Sequence, residues 1–170
     1  SPNGAGSRGI FEDYRFNDLV DISHWDMTNV TDVIDMFYNT TFNVNIDISN
    51  WDMSNLTNMG SMFFFTTFNV NIDISNWDVS NVLTMSFTFK NSKINGNIDI
   101  SNWDVSSVES MWITFNGSDF NGDISNWDVS NVRTMYAMFS ASPINGVSIG
   151  GKFNGNISNW DISSVGDMRS

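Results

Sequence analysis

The chain has no cysteine, two prolines and one histidine among its 170 residues, and each scarcity removes a class of chemistry. Without thiols there is no disulfide framework, no thiolate metal cage and no Cys nucleophile, and the redox compartment goes unread. The lone His24 has no second histidine to share a metal with. Ser and Asp recur so often that no Ser-His-Asp arrangement stands out, so the expectation is that this is not an enzyme. Basic residues are few as well: seven against nineteen acidic ones leave a formal charge of −12. A field of that sign repels phosphate backbones and anionic lipid, which argues against nucleic acid as a partner. No apolar run approaches the roughly 20 residues that a membrane-spanning helix needs, and the polar stretch Ser1–Gly9 is unlike a signal peptide.

What is present is a repeat. Hydrophobic residues make up 41% of the chain and aromatics 14%, enough for a continuous core despite the abundance of Asn and Ser. Trp25, Trp51, Trp77, Trp103, Trp127 and Trp160 follow one another at steps of 26, 26, 26, 24 and 33, each in the context Ile-Ser-(Asn/His)-Trp-Asp. Trp112 stands outside this register. Such a period is the signature of stacked units, none of which can cover its own apolar face alone.

The stretch Phe42 to Thr67, FNVNIDISNWDMSNLTNMGSMFFFTT, shows the design. Phe42, Val44, Ile46 and Ile48 alternate with Asn43, Asn45 and Asp47, the period of an extended segment, and Trp51 and Met53 continue it around Asp52. Leu56, Met59, Met62 and Phe63 then recur at three to four residues, which predicts a short helix capped by Ser54 or Asn55. The fold expected is an α/β solenoid of about six coils, with a narrow parallel β-sheet on one side and short helical or 3₁₀ turns on the other. Parallel strands joined by crossovers make it right-handed by default.

Residues 1–15 read as an N-terminal cap or linker, with Ile10 and Phe11 tucked over the first coil and Glu12, Asp13 and Arg15 facing water. Residues 16–170 read as a single solenoid of six repeats. The fifth repeat is two residues short, at the place of Ile98 and Asp99 in its predecessor. Ser140 to Lys152, with Pro143 and three glycines, is an inserted loop in which Ile144-Asn145-Gly146 echoes Phe153-Asn154-Gly155. The last repeat breaks off after Trp160-Asp161-Ile162 without the Met-Phe that closes earlier ones, as a segment of something longer would.

These residues carry a resemblance. Ile48-x-x-Trp51-x-Met53 and its equivalents resemble the first part of a leucine-rich repeat. Phe120 to Phe139, FNGDISNWDVSNVRTMYAMF, resembles the bacterial surface protein 26-residue repeat of the BspA-like leucine-rich repeat surface proteins. The likeness runs from about Phe16 to Met168. It implies a right-handed, leucine-rich-repeat-like solenoid that is secreted or cell-surface and serves adhesion or protein binding. One departure is that Leu56 stands where the asparagine of the usual ladder would be; Asn43, Asn69, Asn95, Asn121 and Asn154 are placed to supply a ladder from another corner.

Asp26, Asp52, Asp78, Asp104, Asp128 and Asp161, one after each repeat tryptophan, are the candidate binding residues. Like charges at coil spacing repel unless compensated. Each carboxylate can accept from the backbone and hydroxyl two residues on, as at Ser54 and Ser80; alternatively the column holds calcium between coils, although the glycine-rich calcium nonapeptide is absent. A second column, Asp21, Asp47, Asp73 and Asp99, reads as a solvated face lost in the fifth and sixth repeats. Tyr38, Phe64, Phe65, Trp112 and Tyr136 fall off the core register and would form a sticky patch where exposed. The function expected is a non-enzymatic extracellular adhesion or partner-binding module, with a protein or glycan on a host or neighbouring cell surface as partner. The alternative is a structural spacer or fibre segment that self-associates head to tail through its open end.

Overall fold

In the computed structural model, residues 9–94, 96–144 and 147–169 are described. The chain stacks on itself in parallel at the spacing of the repeat. Strands β1 (Arg15–Phe16), β2 (Thr41–Phe42) and β3 (Thr67–Phe68) form a three-stranded parallel sheet in the order β1-β2-β3. Arg15 pairs with Thr41 and Thr41 with Thr67, and a single bridge carries the ladder on to Lys93. A second parallel ladder links Asp32, Asn58, Thr84, Ser110, Thr134 and Asp167. Its steps match those of the tryptophans, so the short repeat and the insertion are both absorbed without loss of register.

The alternating half behaves as its pattern demands. Phe42, Ile46, Ile48, Trp51 and Met53 are buried while Asn43, Asn45, Asp47 and Asp52 are exposed. Like residues stack into columns: Phe16, Phe42 and Phe68 lie 5.1 and 5.4 Å apart with near-parallel rings. Phe11, Phe37, Phe63, Phe89, Phe115 and Phe139 make a second column at 5.3 to 5.7 Å. The tryptophans add an interaction that phenylalanine could not make. The indole N–H of Trp51, Trp77, Trp103, Trp127 and Trp160 donates to the carbonyl of Ile22, Ile48, Ile74, Ile100 and Ile124 in the coil before, at 2.9 to 3.1 Å. A buried indole needs such a partner.

The predicted helices are absent: no helix occurs among the described residues. Leu56, Met59, Met62 and Phe63 are all fully buried, as the apolar stripe requires, but on consecutive turns. The N–H groups of Met62, Phe64 and Thr66 bond three residues back, to Met59, Ser61 and Phe63. Those of Met59, Ser61, Phe63 and Phe65 instead reach the carbonyls of Thr84, Ser86, Thr88 and Lys90 in the next coil. An α-helix would spend every N–H on the residue four back and leave nothing for the neighbour. The alternation needs left-handed backbone at Ser61 and Phe65, with φ of 55° and 58°, and at Phe87 and Ile113, with φ of 61° and 60°. That conformation costs a bulky residue roughly 1 to 2 kcal/mol, offset here by the bonds between coils. Ser54 and Asn55 are accordingly not caps: Ser54 bonds Asp52, and the Asn55 side chain donates to the Thr28 carbonyl of the coil before at 2.8 Å.

Three further expectations change. Phe11 does pack on the first coil, against Trp25 and Phe37, but Ile10 is 68% exposed. Residues 9–13 already pair in coil register, through Phe11 N–H to Met36 and Asp13 N–H to Tyr38; residues 1–8 lie outside the described ones. The inserted loop carries a hairpin of its own, which the sequence reading does not include: β4 (Ser142–Ile144) pairs antiparallel with β5 (Val147–Ile149). Asn145 and Gly146 of its supposed echo lie outside the described residues.

Candidate binding surface

The six aspartates that follow the tryptophans do not converge on a ligand. Each turns back on its own chain, accepting the N–H two residues on: Thr28 for Asp26, then Ser54, Ser80, Ser106, Ser130 and Ser163 for the others, at 2.9 to 3.1 Å. These bonds favour the ionised form. The side-chain and backbone bonds from Thr28, Ser54 and Ser130 hold Asp26, Asp52 and Asp128 below the ordinary carboxylate range, and the Ser163 backbone and side chain do the same for Asp161. Among the described residues, no three His, Asp or Glu side chains gather closely enough to hold a metal ion.

The second acidic column is built the same way: it is exposed, as a solvated face is, but it is not lost in the fifth and sixth repeats. Asp21, Asp47, Asp73 and Asp99 accept from Ser23, Ser49, Ser75 and Ser101. The fifth repeat keeps the position as Asp123, bonded to Ser125 at 2.9 Å, and the sixth as Asn156, bonded to Ser158 at 3.0 Å. The column is therefore a corner of every coil, and the shortening lies ahead of it. A third corner is not legible in the sequence. Asp32, Asn58, Thr84, Ser110, Thr134 and Asp167 each cap the N–H two residues on, at 2.8 to 3.5 Å. Chemical variety hides it, because carboxylate, amide and hydroxyl all supply the one acceptor oxygen a turn needs. The asparagine ladder does run from another corner: Asn69 donates to Asn43 at 2.6 Å and Asn43 to Asn17 at 2.7 Å. Asn121 accepts from the Asn154 N–H, and Asn95 lies outside the described residues.

With the acidic columns committed to turns, the residues left over are aromatic. Tyr38, Phe64, Phe65, Phe87, Trp112 and Tyr136 line the outer side of the turn segment, touching in sequence. Tyr38 to Phe64 is 5.2 Å, Phe64 to Phe87 6.2 Å, Phe87 to Trp112 4.8 Å and Trp112 to Tyr136 6.4 Å. Phe87, which the repeat pattern does not single out, joins the two halves. Trp112 is 41% exposed and the rest are half-buried. Lys90 lies over both Phe64 and Phe87, its Nζ 5.2 and 5.3 Å from the ring centres, and Arg169 lies over Tyr136. Burial lowers the Lys90 ammonium's pKa and raises that of the Tyr38 phenol.

Parallel ladders, like-residue columns and one acceptor per corner define a repeat protein of stacked, β-rich units. A family described as "Mycoplasma protein of unknown function, DUF285" matches residues 7–119 and again 84–170, overlapping as tandem copies do, and the chain belongs to that family. No curated protein and no solved structure matches it.

Proposed function

We propose that this chain is a non-enzymatic binding module of an extracellular or cell-surface repeat protein, a right-handed, leucine-rich-repeat-like solenoid of about six coils. The observation that carries the reading is the aromatic strip. Gly60, Ser61 and Ser86 stand at the equivalent positions of other coils, so the repeat does not require aromatic rings there. Tyr38, Phe64, Phe87, Trp112 and Tyr136 contribute no ring to the interior columns, yet they run together across several coils. Contiguous aromatics left partly open to solvent mark interaction sites, and Trp and Tyr are the side chains that most often anchor them. The BspA-like resemblance supports an adhesive role toward a protein or glycan on a host or neighbouring cell. The test is attachment of the purified chain to cells or matrix with Trp112→Ser and Tyr136→Ser in place. Loss of most attachment with an unchanged melting temperature is expected; full attachment would overturn the assignment.

A further inference from the structure

Beside the aromatic strip the inserted hairpin builds a groove, and its donors are unmatched. The hairpin is seated by close backbone approach. Gly117 N–H donates to the Ser140 carbonyl at 2.8 Å and Gly151 N–H to the Ser118 carbonyl at 3.1 Å. A methyl group added at Gly150 would overlap the backbone of Gly117, so the contact requires glycine. The groove left between this wall and the column Asn39, Phe65, Asn91 encloses about 440 Å³. That lies within the roughly 300 to 1,000 Å³ of small-ligand sites.

Its chemistry is unlike the rest of the surface. Lys93 and Lys152, two of only seven basic residues in a chain of charge −12, both line it, and neither makes an ion pair among the described residues. The Asn91 amide oxygen is sealed against Gly117 without a partner, and its amide nitrogen makes no hydrogen bond among the described residues. One carboxylate also lines the groove, Asp119, which accepts the Ile94 N–H at 2.6 Å and leaves the two ammoniums in excess. Phe65, stacked on Phe64 at 4.7 Å, supplies an apolar wall continuous with the strip. Two ammoniums and an amide donor beside an aromatic ring suit a ligand with one anionic oxygen pair, hydroxyl acceptors and a C–H face. A polysulfated chain would be repelled by the surrounding negative field, whereas a single carboxylate meets the two lysines locally.

We propose that this groove binds a carboxylate-bearing oligosaccharide, Lys93 and Lys152 holding the carboxylate, Asn91 a hydroxyl and Phe65 the sugar face. The inference rests on the binding-module reading and names the class of its ligand.

The test is calorimetric titration of the whole chain with sialyllactose and with its methyl ester, which share every sugar residue and differ only in the charge of the carboxylate. Sialyllactose should bind about tenfold more tightly at low salt. The double variant Lys93→Gln, Lys152→Gln should lose that margin without a change in melting temperature, since two partly exposed ion pairs together contribute about a tenfold effect. Equal affinity for the two sugars, no binding of sialyllactose at millimolar concentration, or a double variant that binds like the parent would overturn the proposal. So would a polyglutamate peptide bound as tightly and with the same lysine dependence. If sialyllactose does not bind while Trp112→Ser still abolishes attachment, this proposal fails and the binding-module reading stands.

Discussion

Replacing Trp77 by phenylalanine tests the stacking directly, because it removes one indole from the middle of a column. Trp77 is 3% exposed, its ring lies 6.2 Å from that of Trp51 and 6.3 Å from that of Trp103, and its Nε1 donates to the Ile48 carbonyl at 2.9 Å. The lost hydrogen bond is worth about 1 kcal/mol, since the Ile48 carbonyl keeps the Trp51 N–H. The smaller ring withdraws about three buried heavy atoms, which at about 0.8 kcal/mol each adds about 2 kcal/mol. A loss of about 3 kcal/mol lowers the melting temperature of a chain this size by about 6 to 12 °C. Trp25 is the internal control. It is half-buried and, among the described residues, has no carbonyl for its indole N–H, so Trp25→Phe should cost less than about 1 kcal/mol. Urea denaturation followed by circular dichroism reads both. Equal losses for the two variants, or a Trp77→Phe loss below about 0.5 kcal/mol, would refute the claim that coils are held by indole-to-carbonyl bonds.

The aspartate corners make two further predictions. Asp52→Ala should lower the melting temperature more than Asp52→Asn, because an amide oxygen keeps the acceptor, as where Gly60 bonds Asn58 and Ser158 bonds Asn156, and loses only the charge; equal loss in both would mean the charge, not the acceptor, matters. In acid, carboxylates whose folded pKa is depressed stabilise the fold above their unfolded value and lose that contribution as pH falls through the folded one. Asp26, Asp52, Asp99, Asp123, Asp128 and Asp161 are lowered by their Ser and Thr bonds, and Asp167 to about 2 by Arg169. Asp35, raised chiefly by burial, acts in the opposite sense. The melting temperature should therefore hold from pH 7 toward about 4 and fall between about 4 and 2; a continued rise below 4 would contradict the assignment.

The repeat, its period and the inward residues are legible in the amino-acid sequence. Side-chain alternation around Trp51 and the recurrence of the Ile-Ser-Asn-Trp-Asp context can be satisfied only by stacking like on like. The turn reading of the Asp column is legible for a similar reason, since Asp followed two residues later by Ser or Thr is a local motif. The turn segment is not, because three-to-four spacing at Leu56, Met59, Met62 and Phe63 serves a helix and a chain of three-residue turns equally well. Nothing in Ser61, Phe65, Phe87 or Ile113 announces left-handed backbone.

Of the candidate surfaces, the sequence by itself determined that the chain is an acidic stack of like coils without thiols, and it marked most of the off-register aromatics. Only the tertiary structure decided that Phe87 bridges the aromatics into one strip, and that the hairpin seats on Gly117 to form a groove lined by two exposed lysines. The physical reason is range. Periodicity and side-chain capping act within a few residues, whereas the choice between helix and turn, and the placing of Lys93 and Lys152 on one groove, depend on bonds to coils some 26 residues or more away.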